Sequence, residues 1–181
     1  LAASMVEKAL QNSLSDPAVS ATAWTVVGRM RLLSDNQQGA LEAARKAQDL
    51  APLEDKPAIL ALELLEAGAT EAEPLLRRYL DGKPSPEIRL AYARLLLEWQ
   101  RYTEARQQLG FVTAEKPDLP QAWMAQAALQ FQDNDLDDAE ASLQRYSALV
   151  EPAGNAATSR ASMTPAYLLH AQIAEKRGNY A

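Results

Sequence analysis

Four alanines, Ala40, Ala72, Ala105 and Ala139, recur at steps of 32, 33 and 34 residues. A period of that length confines a chain to small supersecondary units stacked in a row. Pro52, Pro84, Pro117 and Pro152 keep the same beat, and Trp24 and Trp123 stand three periods apart. The stretch from Ala21 to Pro52 shows what one unit contains. Trp24, Val27 and Gly28 share one face of a first helix, the run SDNQQG breaks it, and Ala40, Ala44 and Ala47 line a second helix. Pro52 cannot continue that helix, because it has no N–H and its ring crowds the preceding turn. The unit is a helical hairpin too small to bury its own apolar face, so neighbouring hairpins must share a core.

A tryptophan at the opening, a small residue where the helices cross and a closing proline, repeated at this interval, resemble the tetratricopeptide repeat. Trp24, Val27, Gly28, Ala40, Ala47 and Pro52 fall on that family's signature positions in the first unit. The third unit keeps Tyr92, Ala93, Tyr102, Ala105 and Pro117 but has Arg89 at the tryptophan place. The fourth keeps Trp123, Ala127, Leu136, Ala139 and Tyr146. The second departs further, with Ala58, Ala61 and Leu62 where Trp, Leu and Gly are usual and an inter-helix turn about two residues short. The resemblance implies an all-α fold, a right-handed α-solenoid of antiparallel helix-turn-helix repeats.

On this reading residues 21–52, 55–84, 86–117 and 120–152 are whole repeats. Residues 1–16 form a half repeat or capping helix, whose stripe of Leu1, Met5, Ala9 and Leu10 needs a partner. The helix opening at Pro57 is apolar on more than one face and should be enclosed on both sides. Residues 153–163, small and polar, are expected to form a loop or an extension of the preceding helix. Residues 164–181 are a truncated repeat. Both ends read as cut, and the segment is similar to an internal part of the long, exported multi-repeat scaffolds of bacteria. That likeness favours the periplasm over the cytoplasm, and nothing else in the sequence fixes the compartment.

Composition narrows the function. No apolar run reaches the length that spans a bilayer, so direct membrane insertion is not expected. A net charge of −6 opposes nucleic-acid binding, which needs a cationic face, and weighs against the RNA-binding pentatricopeptide relatives. The absence of cysteine removes disulfides, thiolate catalysis and cysteine-ligated zinc. His170, the single histidine, falls on a packing or rim position of a first helix. Asp133, Asp135 and Asp137 alternate like the start of a calcium loop, but Asp138 and Gln144 replace the glycine and glutamate that loop requires. Acids there serve to cap the next helix. No catalytic, cofactor or metal site is expected.

The resemblance also implies which residues face the inner wall of the stack. First helices line it, and their second, fifth, ninth and twelfth places point inward. Counting Trp24 as the fourth place gives Thr25, Arg29 and Leu32 in the first unit, then Ile59, Glu63 and Glu66. The next units give Leu90, Arg94 and Leu97, then Met124, Ala128 and Phe131, then Leu168, Gln172 and Glu175. The lysines and asparagines with which some members clamp a C-terminal carboxylate are missing. The expected function is a non-enzymatic scaffold holding a protein or peptide in this groove by its apolar side chains, with Arg29 and Arg94 steering carboxylates. The alternative is a structural spacer or self-associating segment of a larger envelope or regulatory protein.

Overall fold

The computed structural model describes residues 16–82, 84–150 and 156–178; the expected half repeat at 1–16 lies almost wholly outside them. The described residues are helical and contain no strand. In chain order they form α1 (Pro17–Leu33), α2 (Gln37–Leu50), α3 (Asp55–Glu66), a 3-10 turn (Thr70–Ala72) and α4 (Glu73–Leu80). These are followed by α5 (Pro86–Glu98), α6 (Tyr102–Glu115), α7 (Pro120–Gln132), α8 (Leu136–Val150) and α9 (Ala156–Lys176). The chain divides into two compact units, residues 1–91 and 92–181.

Local chemistry sets the helix ends. Asp16 accepts a hydrogen bond from the Ala18 N–H at 2.9 Å and Asn36 one from Gly39 at 2.9 Å, each covering a donor that the first helical turn leaves unpaired. Every first helix ends on one residue in the left-handed conformation, namely Asp35, Gly68, Gln100, Asn134 and Gly178, with φ between 58° and 87°. From 35 to 68, 68 to 100 and 100 to 134 the intervals are 33, 32 and 34, so the backbone carries the same period as the alanines. Asn36 N–H to Arg31 and Asp35 N–H to Leu32 form a Schellman cap, and the same pair of bonds recurs at 68–69, 100–101 and 134–135. The break is therefore only three residues long in the first hairpin, and Gln37, Gln38 and Gly39 of the expected breaker run already belong to α2.

In the first unit α1 packs on α2, and both pack on α3. Gly28 is the closest approach. A Cβ there would collide with Leu60 Cδ2 and lie 3.4 Å from Ala43 Cβ, so the crossing depends on the missing side chain. Leu60, Leu64 and Leu65 of α3 are buried, and the multi-faced apolar helix is enclosed as its pattern requires. The short second hairpin is repaired by the 3-10 turn, and α4 is left with only eight residues. Arg89, standing at the tryptophan place, is buried and donates from Nη2 to the Leu80 carbonyl at 2.9 Å, where a cation complements the C-terminus of α4.

Tyr79, also buried, donates its hydroxyl to Asp55 Oδ1 at 2.6 Å and accepts from the Ser85 N–H at 2.8 Å. Burial first, and then the bond to the Asp55 carboxylate, push its pKa from the ordinary 10.0 to about 12. A raised folded-state pKa means the folded chain holds the proton more tightly than the unfolded chain does. The stability it contributes is complete below the unfolded value and is lost as pH climbs from there toward the folded one. Urea unfolding between about pH 9 and pH 12 is expected to show a stability decline in the native protein that Tyr79→Phe flattens. Equal slopes in the two proteins would remove Tyr79 as the cause.

In the second unit α7 pairs with α8, α6 packs on α7, and α9 closes the end. Ala127, Ala139, Leu143 and Tyr146 share a core with Met163, Ala166, Leu169 and Ile173. α9 begins at Ala156 and holds Pro165 inside it, so residues 156–163, part of the 153–163 stretch expected as a loop or an extension of the preceding helix, are helical and lead into the last repeat. Alanines at 156, 157 and 161 make helix the low-cost conformation there. The extra turns account for the longer interval of 44 residues between Asn134 and Gly178.

Candidate functional site

The inner-wall positions do not form one uniform surface. In the first unit Arg29 and Glu63 occupy the same ninth place on α1 and α3, 34 residues apart, and the fold puts them face to face. Arg29 Nε lies 3.1 and 2.9 Å from the two carboxylate oxygens of Glu63, and Nη2 lies 2.9 Å from Oε1. One step along, Lys56 Nζ donates to Thr22 Oγ1 at 3.2 Å, again across 34 residues. Arg29 thus arrives already neutralised by a bidentate partner, which differs from its expected task of steering a ligand carboxylate. The reason is register: equal places on successive first helices are neighbours.

Around this ladder Leu32 and Ile59 are half-buried. Thr25 is only 2% exposed, with its hydroxyl returned to the Ala21 carbonyl at 2.9 Å, and Leu90 is 5% exposed. These two pack beneath the wall and add nothing to its surface. On α5 Arg94 is exposed and Leu97 half-buried.

The second unit offers a different surface. Met124, Ala128 and Phe131 of α7 are half-buried and rest on the core shared with α8 and α9. Leu168 of α9 is 62% exposed, and Gln172 is exposed beside it in register. Lys176, absent from the sequence-based set, donates from Nζ to the Phe131 carbonyl at 3.2 Å and sits 4.7 Å from the centre of the Phe131 ring. That cation–π contact fixes the ring at the rim. Its signal in the sequence was the register itself, since Lys176 follows Glu175 at the place beside the twelfth. These places thus supply Met124 and Phe131 from α7 and Leu168 from α9, with Gln172 and Lys176 following Leu168 one and two turns along the same helix.

Several acidic side chains of the second unit are paired with arginines. Arg106 bonds Asp133, and Arg177 bonds Asp137 and Glu140. Glu140 also lies 3.5 Å from Nε2 of His170, whose side chain is 61% exposed, so the histidine is a rim residue. Two of the three alternating aspartates are thus engaged by arginines, and no cluster of metal-ligating side chains occurs among the described residues. No described helix is long and apolar enough to cross a membrane.

The tetratricopeptide-repeat family model matches residues 61–129. The crystal structure of YrrB, described as a TPR protein with an unusual peptide-binding site, superposes with a TM-score of 0.60 at 12% identity. That match covers 97% of this chain and 93% of YrrB. PilF of Pseudomonas aeruginosa gives a TM-score of 0.55 at 16% identity, over 90% of this chain and 86% of its own. No curated protein matches the chain.

Proposed function

Because the chain is built of tetratricopeptide repeats, we propose that it is a non-enzymatic interaction scaffold whose ligand is a peptide or protein segment held on the α7–α9 strip of the second unit. The observation that carries this is the contrast between the units. On the α1–α3 wall Arg29 is paired with Glu63, whereas on the α7–α9 side Leu168 is exposed and Met124 and Phe131 are half-buried. Burying such side chains contributes roughly 1.5–3 kcal/mol each before the costs of association. A peptide with two or three apolar residues at helical or extended spacing matches that strip.

The test pans a display library of random peptides against the intact protein. Selected peptides are expected to lose about 30-fold or more in affinity on Leu168→Asp and on Met124→Asp, with helix content by circular dichroism unchanged. Leu168 is the safer site, since it contributes little to the core. Peptides that ignore both changes but lose binding on Arg145→Glu, on the exposed side of α8, would sink the assignment.

A further inference from the structure

An open groove of about 310 Å³ runs between α8 and α9, and no aspartate, glutamate, lysine or arginine lines it. Leu143, Met163 and Ala166 are its buried base, with Ser147, Tyr167 and His170 around them. Leu168, assigned above to peptide binding, is not part of this lining. The repeat register shows what such a groove holds. Leu143 and Ser147 answer to Ala44 and Gln48 of α2, and Tyr167 and His170 answer to Ala58 and Ala61 of α3. In the first unit those four places are buried, and a helix, α4, packs on both α2 and α3. On α9, Tyr167 is 59% exposed and the His170 side chain 61%.

We propose that this groove is a dimerisation site at which two copies of the chain pack α9 against α9 about a two-fold axis, each laying its Tyr167 over the base of the other's groove. Such a contact requires a patch that complements itself, and here one face carries both the hollow and the projecting aromatic ring. Charge favours a second copy as the occupant. From Thr164 to Ala174 α9 carries no formal charge, and Tyr167, Ala171 and Ala174 follow one another at steps of four and three on one side of it. Closing the groove therefore desolvates no carboxylate, lysine or arginine and opposes no like charges, although each chain carries a net −6. A tyrosine at an uncharged centre is the composition that interface cores favour. The charged end of α9 is already engaged within each copy, where Arg177 bonds Asp137 and Glu140.

Analytical ultracentrifugation of the full chain tests this. One helix and its groove make a small interface, so a dissociation constant of about 10–100 µM is expected. Across that range the average mass should climb from 19.8 kDa toward twice that value. Tyr167→Glu and Ala171→Glu, both at exposed positions, should each weaken the dimer about 30-fold or more with helix content unchanged. Leu168→Asp should leave the dimer intact, so this result and the peptide-binding result are read separately. Because the chain has no cysteine, Ala171→Cys treated with a short bifunctional maleimide should give an adduct of twice the mass, and Arg45→Cys on the exposed side of α2 should not. A chain that stays at monomer mass throughout, which would leave the groove to a helix of another protein, overturns the proposal. So does a dimer that survives both glutamates, or one that is lost on Leu168→Asp instead.

Discussion

Gly28→Leu is expected to unfold the first unit. The first side-chain carbon alone would fall within the contact shell of Leu60 Cδ2, and Leu60 is fully buried with Ala43 behind the same crossing. Overpacking of this kind costs about 1–3 kcal/mol when neighbours can yield. Here a whole isobutyl group meets a closed core, so the loss should reach about 3 kcal/mol or more, a large part of a typical 5–15 kcal/mol. Thermal unfolding by circular dichroism reads it. Gly28→Ala separates sterics from backbone freedom, because alanine regains about 1 kcal/mol of helix propensity while displacing only the tip of Leu60. Adding Leu60→Ala to Gly28→Leu should restore part of the loss, since the two sites share one space. A midpoint unchanged by Gly28→Leu would remove Leu60 from that crossing.

Leu90→Asp should be the more destructive of two changes made at one register place. Leu90 and Leu168 are both fifth-place residues of their first helices, but Leu90 is 5% exposed and Leu168 62%. A carboxylate at position 90 would be buried without a partner, and changes of that class stand at about 4–5 kcal/mol, the far end of the mutational range. Loss of the cooperative transition, or a fall of well over 5 °C in its midpoint, is expected. Leu168→Asp should leave the midpoint nearly unmoved while removing peptide binding. The register by itself predicts a binding defect with an intact fold at both positions. Burial reassigns Leu90 to packing, and similar stabilities for the two variants would return it to the wall.

The places where the sequence reads well are those governed by short-range chemistry. The hairpin period and the enclosed apolar helix at α3 follow from residue types three or four apart. Where the reading differs, longer-range effects intervene. The 156–163 stretch is polar enough to suggest a loop, yet its alanines and the anchoring of Met163, Ala166 and Leu169 on α8 draw it into α9. Arg89 looked like a departure from the pattern, and the fold gives it a carbonyl at the end of α4.

The sequence by itself determined that this chain is a row of helical hairpins, because the spacing of small residues, turn residues and prolines is a local property repeated unit by unit. Tertiary structure alone decided which inner-wall residues are surface, which are core, and which are already engaged. Arg29 meets Glu63, and Lys176 meets Phe131, across 34 and 45 residues of chain. A side chain's exposure and partners depend on what the neighbouring helix brings to it, and no pattern within one helix carries that information.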